Sequence, residues 1–185
     1  MPLLLANAAA VVRERLTPGV PAVAIILGSG LGNAVERLSN GRNLRYQEIP
    51  GFYGTAVEGH AGRLHVGTLG GREVLVLAGR FNMYEGHPAR ASVFPVRVAH
   101  ALGARAVLAT NAAGGLNPAY TPGNLVVVTD QINLSAQNPL IGVVEPGDLR
   151  FVKRKERLRP LVFILDVSGS MADYSRNLVQ FAYSA

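Results

Sequence analysis

Cysteine is absent from all 185 residues. Its absence excludes disulfides, thiolate-bound zinc, iron–sulfur clusters and a cysteine nucleophile. It fits the cytoplasmic location expected for the chain. Lysine is almost absent too. The two present, Lys153 and Lys155, flank Arg154 in the chain's last third, and the first 152 residues use only arginine. No apolar run approaches the roughly 18 residues of a membrane-spanning helix, so no membrane partner is expected. The N-terminal MPLLLANAAAVVRERL lacks the basic start of a secretory leader, and its apolar run continues into Arg13-Glu14-Arg15. Alanine and leucine are strong helix formers, and the stretch reads as a helix. Charged residues are few, at 16%, against 49% hydrophobic, a balance that excludes disorder of the whole chain. This length predicts one ordinary domain or two small ones. A compact fold of this size buries roughly 70% of its unfolded surface.

The net charge of +6 invites a nucleic-acid reading until it is located. Residues 1–147 carry eleven Arg against eight acids, and residues 160–185 sum to −1. Residues 148–159 hold Arg150, Lys153, Arg154, Lys155, Arg157 and Arg159 against Asp148 and Glu156, a net +4 in twelve residues. Short basic runs are usually solvated linkers, so this stretch reads as a junction, and no nucleic-acid partner is expected.

Apolar patterning before the junction gives α/β order. Pro21–Leu27 (PAVAIIL), Ala106–Thr110 and Asn124–Thr129 (NLVVVT) are short continuous runs that predict buried strands. Arg63–Leu69 and Glu73–Leu77 flank Gly70-Gly71 and predict a hairpin. A short helical stretch is expected to reach Leu38. Helical spacing at Val93, Val96, Val98 and Leu102 marks another helix over 89–102, kinked or started late at Pro95 and stopped at Gly103. In such folds sites gather at the carboxyl ends of strands.

Three segments at those ends carry chemistry. Gly28-Ser29-Gly30-Leu31-Gly32 can present backbone N–H groups and a hydroxyl to an anion. It departs from the dinucleotide fingerprint at Asn33 and, with no Lys-Ser/Thr after it, from the P-loop. A Gly-rich turn alone also serves as a plain bend. Arg80–His87 (RFNMYEGH) places a cation, an amide, a phenol, a carboxylate and an imidazole in eight residues, and Arg suits bidentate phosphate binding. The bland reading is a solvated loop with an Arg–Glu pair. Asn111-Ala112-Ala113-Gly114-Gly115 has small side chains that let a ligand approach the backbone, or simply make a tight turn. His60 precedes the hairpin and can donate to an anion, though a lone His is more often a surface residue. No HExxH and no catalytic Ser-His-Asp spacing occurs in residues 1–147.

These segments, with Glu48-Ile49-Pro50, Gly59–Arg63, Phe94-Pro95-Val96-Arg97, Thr110–Pro118 and Gln137-Asn138-Pro139-Leu140, stand in the same order and spacing as in the trimeric type of purine nucleoside phosphorylase. Residues 1–147 resemble the N-terminal half of that family. The resemblance implies an α/β fold, with a mixed central β-sheet flanked by helices. It implies phosphorolysis of purine (deoxy)ribonucleosides to free base and (deoxy)ribose 1-phosphate, with inorganic phosphate as substrate and no cofactor. Carried over by position, Ser29, His60, Arg80, Asn82 and the N–H of Ala112 bind phosphate, with Arg80 and His60 placing the nucleophile. Tyr84 lies against the ribose, and Asn111, Ala113 and Gly114 line the nucleoside cleft. Asn82 stands where the family has His. Purine nucleoside and phosphate are the implied partners, and a homotrimer the implied assembly. The family's fold calls for roughly as much sequence again after residue 142, so the phosphorylase part is expected to be truncated.

After the junction, Leu161–Leu165 (LVFIL), Asp166-Val167-Ser168-Gly169-Ser170 and a helical stretch through Leu178, Phe181 and Ala182 form a β-α fragment. Residues 160–185 resemble the opening of a CoxE-like von Willebrand factor A-type domain. That resemblance implies Mg²⁺ held by the oxygens of Asp166, Ser168 and Ser170. Ser170 as a helix cap competes with it. Alternatives to an enzyme are thus a fusion fragment without activity, its apolar sheet edges exposed, and a metal-dependent protein-binding module.

Overall fold

The computed structural model describes residues 2–16, 19–54, 62–130, 132–134 and 137–139. In chain order it has helix α1 (Pro2–Leu16), strand β1 (Val23–Leu27), a 3-10 turn (Gly32–Arg37), β2 (Ser39–Arg45), a 3-10 turn (Tyr46–Glu48), β3 (Arg63–Leu69) and β4 (Arg72–Ala78). A third 3-10 turn (Met83–Glu85), α2 (Ala89–Ser92), α3 (Phe94–Ala101) and β5 (Ala106–Ala109) follow. The chain divides into two compact units, Met1–Asn111 with Asn138–Ile141, and Ala112–Gln137 with Gly142–Ala185.

The first unit is built on a five-stranded sheet of order β2-β3-β4-β1-β5. β1 runs parallel to β4 and β5, and β2-β3-β4 is antiparallel, so the sheet is mixed as expected. The β3–β4 hairpin turns through Gly70-Gly71, with Leu69 paired to Arg72. The unbroken apolar run of β4 follows from burial on both faces. Leu75 and Leu77 face a core shared with Ala24, Leu64, Val66, Val12 and Val98, while Val74, Val76 and Ala78 face a smaller one with Leu27.

α1 covers the larger core because Ala8, Val12 and Leu16 recur every four residues and form one buried stripe. Arg13 in its last turn donates to the carbonyl of Ala101, tying α1 to the end of α3. Arg15 reaches Glu48 at 2.9 Å. The helix expected over 89–102 is two helices broken at Val93, and Pro95 sits in the first turn of α3, where its missing N–H costs nothing. Gly103 ends it at φ +108°, and a Cβ there would meet Val20 Cγ1 at 2.7 Å.

Two expectations are corrected, and one strand was not foreseen. β2 (SNGRNLR) carries no apolar run, so the sequence pattern missed it; it is an exposed edge strand with Leu44 alone buried. β5 is a strand at the other edge of the sheet, but all four of its residues are exposed, against the burial expected. Asn124–Thr129 is not a strand. Its residues pair in no sheet, and Leu125 and Val127 are 98% and 84% exposed. β-propensity reports fit to a neighbouring strand, and without one the run stays open. In the second unit two turns are closed among the described residues: Tyr120 N–H donates to Asn117 O, and Thr121 and Asn124 cap each other. The basic stretch 148–159 and the fragment 160–185 lie outside the described residues.

Candidate functional site

Three parallel neighbours, β4, β1 and β5, end at one edge of the sheet. Leu27 pairs with Ala78, and Ile26 with Ala109. Two residues beyond those pairs, the chain reaches Ser29 after β1, Arg80 after β4 and Asn111 after β5. β3 runs the other way and starts at this same edge, where Arg63 pairs with Ala78 and Gly62 N–H donates to Ala78 O at 3.0 Å. The segments singled out for their chemistry thus leave or enter the sheet side by side.

The β1 and β5 ends are stitched together. Thr110 N–H donates to Ile26 O at 3.0 Å, and the Thr110 hydroxyl donates to the same oxygen. That hydroxyl also accepts Gly28 N–H at 3.0 Å. The backbones touch: a Cβ on Gly28 would lie 2.5 Å from Thr110 O and 2.7 Å from Asn111 Cα. Gly28 is therefore required by the approach of the Asn111 segment, which the sequence pattern of a Gly-rich turn did not distinguish from a bend. Beyond it Leu31 N–H closes on Gly28 O, and Ser29 is exposed at the tip of that turn.

The Arg80 segment is anchored from both sides. Tyr46 is fully buried and donates its hydroxyl to Gly79 O at 2.9 Å. Burial pushes this phenol well above its ordinary value, so it stays a neutral donor. Phe81 is buried and meets Tyr46 and Phe52 edge-on at 5.4 and 5.5 Å between ring centres. His87 packs against Tyr53 at 4.7 Å. Between these anchors Arg80 is half-buried, and its Nε is buried without a hydrogen-bond partner among the described residues. A buried donor without an acceptor is costly, and an anion would satisfy it. Asn82 is half-buried, and its backbone and side-chain amides both donate to Glu85 Oε2, at 3.0 and 2.9 Å. Tyr84 is 76% exposed.

Ser29, Arg80, Asn82, Tyr84 and Asn111 belong to the first unit; Ala112, Ala113 and Gly114 belong to the second and are exposed. His60 lies outside the described residues, two positions before Gly62, and so do Asp166, Ser168 and Ser170. Among the described residues no cluster of three or more His, Asp or Glu side chains is arranged to hold a metal ion. Thr110 and Tyr46 are the supporting residues that motif reading passed over. A lone Thr at a strand end or a Tyr after a polar strand carries no sequence signal of its own.

The profile of the phosphorylase superfamily matches residues 22–182. This chain belongs to the phosphorylase superfamily. Purine nucleoside phosphorylase 1 of Bacillus subtilis is 47% identical over 136 residues, which are 74% of this chain and 50% of that protein. The purine nucleoside phosphorylase of Bos taurus is 48% identical over 134 residues, 71% of this chain and 45% of that one. Among solved structures, the purine nucleoside phosphorylase of Schistosoma mansoni superposes with a TM-score of 0.57 at 40% identity, covering 62% of this chain and 42% of its own. Isoform 2 from the same organism, solved with cytosine and ribose-1-phosphate, gives 0.58 at 38% identity, covering 63% and 40%. The chain spans about half the length of the curated relatives it matches. The superfamily assignment accounts for the mixed sheet and its shared carboxyl edge.

Proposed function

We propose that this chain carries the phosphate side of a purine nucleoside phosphorylase. The observation that carries the reading is the Arg80 guanidinium, whose Nε is buried with no hydrogen-bond partner among the described residues, two positions beyond the Leu27–Ala78 pair, as Ser29 is on the neighbouring parallel strand. Relatives named purine nucleoside phosphorylase and a neighbour solved with ribose-1-phosphate support the same chemistry. In the proposed reaction a phosphate oxygen forms a bond to the anomeric carbon as the bond from that carbon to the purine nitrogen breaks. The electron pair and a proton go to the departing base. Positive charge builds on the sugar in the transition state, and a held dianion stabilises it electrostatically. Ser29, His60, Arg80 and the N–H of Ala112 are the proposed phosphate ligands. Tyr84, Asn111, Ala113 and Gly114 are the proposed nucleoside contacts. The family resemblance implies a cytoplasmic homotrimer acting on purine nucleosides; the expectation of no membrane and no nucleic-acid partner rests on the short apolar runs and on the linker reading of residues 148–159. Among the described residues no helix is long and apolar enough to cross a membrane.

The test is base release from inosine or guanosine by the purified chain. Release is expected only with inorganic phosphate present and is expected to vanish in Arg80→Ala. No release, or release indifferent to phosphate, overturns the reading.

The confinement of both lysines and a net +4 to residues 148–159 supports a second part: a junction there, followed by an A-type fragment in 160–185. The carboxylate of Asp166 and the hydroxyls of Ser168 and Ser170 are hard oxygen donors of the kind Mg²⁺ takes. Against it stands the superfamily profile, whose match runs on to residue 182. Mg²⁺ titration by calorimetry decides the site: saturable heat lost in Asp166→Ala is expected, and a flat trace dismisses it.

A further inference from the structure

Position 82 stands in the segment that bears Arg80, and its side chain is already engaged within the chain. The Asn82 backbone N–H donates to Glu85 Oε2 at 3.0 Å, and Nδ2 donates to the same oxygen at 2.9 Å. Nδ2 also lies within reach of Arg80 O, at the outer limit of 3.5 Å. A side-chain amide has two hydrogens, and here each faces an acceptor of the protein itself. The carboxylate also fixes which way the amide points: the reversed amide would set oxygen against oxygen.

We propose that Asn82 is a positioning residue for the Arg80 segment rather than a donor to the phosphate. This inference takes its ligand from the phosphorolysis reading above. By gripping Glu85, Asn82 closes the Met83–Glu85 turn, in which Glu85 N–H donates to Asn82 O and Gly86 N–H to Met83 O. Phe81 is buried in the core between Arg80 and Asn82. The segment is thereby fixed at Phe81 and at the Asn82–Glu85 clamp, with Arg80 at its head. Asn82 also satisfies the carboxylate of this segment with two charge-assisted bonds, which tempers its repulsion of an arriving anion. A histidine here could ionise between pH 5 and 8; asparagine cannot, so it holds Glu85 at every pH where that carboxylate is charged.

Proton–nitrogen correlation spectra of the whole chain test this through the Asn82 side-chain NH₂ pair and the Arg80 Nε–H signal. Glu85→Gln is expected to move the Asn82 pair. Saturating inorganic phosphate is expected to move the Arg80 signal and leave the Asn82 pair nearly in place. A phosphate-induced shift of the Asn82 pair larger than that caused by Glu85→Gln overturns the proposal. If phosphate moves neither signal, the phosphate reading fails, while the response to Glu85→Gln still decides the clamp. Amide exchange gives a second readout without ligand: Asn82→Ala should speed exchange at Glu85 and Gly86 about tenfold, the loss expected for one net hydrogen bond. Unchanged exchange there also overturns it.

Discussion

β4 and β5 are both parallel partners of β1, yet their surroundings are opposite. Every residue of β4 from Val74 to Ala78 is buried, while Val107 and Leu108 of β5 are 47% and 53% exposed. A strand buries its side chains only when both faces are covered, and it satisfies its backbone only when both edges are paired. β4 has both; among the described residues β5 pairs on one side alone. The sheet's other edge, β2, solves the same problem differently, with Arg42, Arg45 and Asn43 in place of apolar residues. The proposed phosphate contacts Ser29 and Arg80 therefore follow the strands β1 and β4 at the middle of the sheet, with the open strand β5 beside them.

The most direct way to break this comparison is to truncate a leucine on each strand. Leu75→Ala should cost about 2–5 kcal/mol and Leu108→Ala about 0.5 kcal/mol or less, read by denaturant unfolding. Equal costs would mean that β5 is covered in solution. Gly28→Ala should cost roughly 1–3 kcal/mol, because its methyl would press on Thr110 O and Asn111 Cα and part the β1 and β5 ends. Thr110→Val keeps the shape but removes the hydroxyl that both donates to Ile26 O and accepts from Gly28 N–H, and should cost about 1–2 kcal/mol. A stable Gly28→Ala protein would show that the two ends do not touch.

Acid should act in two smaller steps, at groups away from β5. Burial, followed by the charge of Arg63, holds the His65 imidazole below its ordinary 6.5. The fold prefers the neutral ring, so its contribution is present above pH 6.5 and declines as pH falls below it. Glu48 is lowered from 4.5 to about 2, first by the Arg45 backbone N–H, then by the Arg45 side chain and Arg15. Its contribution is present above pH 4.5 and lost between 4.5 and about 2. Thermal melts against pH should lose the upper step in His65→Gln and the lower in Glu48→Gln. Steps unaltered by these substitutions would assign the acid response elsewhere.

The parallel strands beside the site were legible because β1 and β4 are short apolar runs ended by glycine, a pattern that burial on both faces imposes. The α2–α3 break was legible in Pro95, and the hairpin in Gly70-Gly71. β2 was not, because an edge strand need not be apolar. Residues 124–129 misled for the converse reason: an apolar run states a preference for a neighbour and does not supply one. Within the site the proposed phosphate contacts, Ser29 and Arg80, stood out by chemistry. Thr110, Tyr46 and the Asn82–Glu85 pair did not, since their roles depend on contacts between β-strand ends, or on a turn, that spacing alone does not encode.

The central claim is that the shared end of β4 and β1 holds a small anion through Arg80 and Ser29. Calorimetric titration of inorganic phosphate into the purified chain at neutral pH tests it most directly. The account predicts saturable binding that Arg80→Ala weakens at least roughly tenfold, the scale of a lost hydrogen bond to a charged group. A trace with no saturable heat, or an Arg80→Ala protein that binds phosphate unchanged, would contradict it.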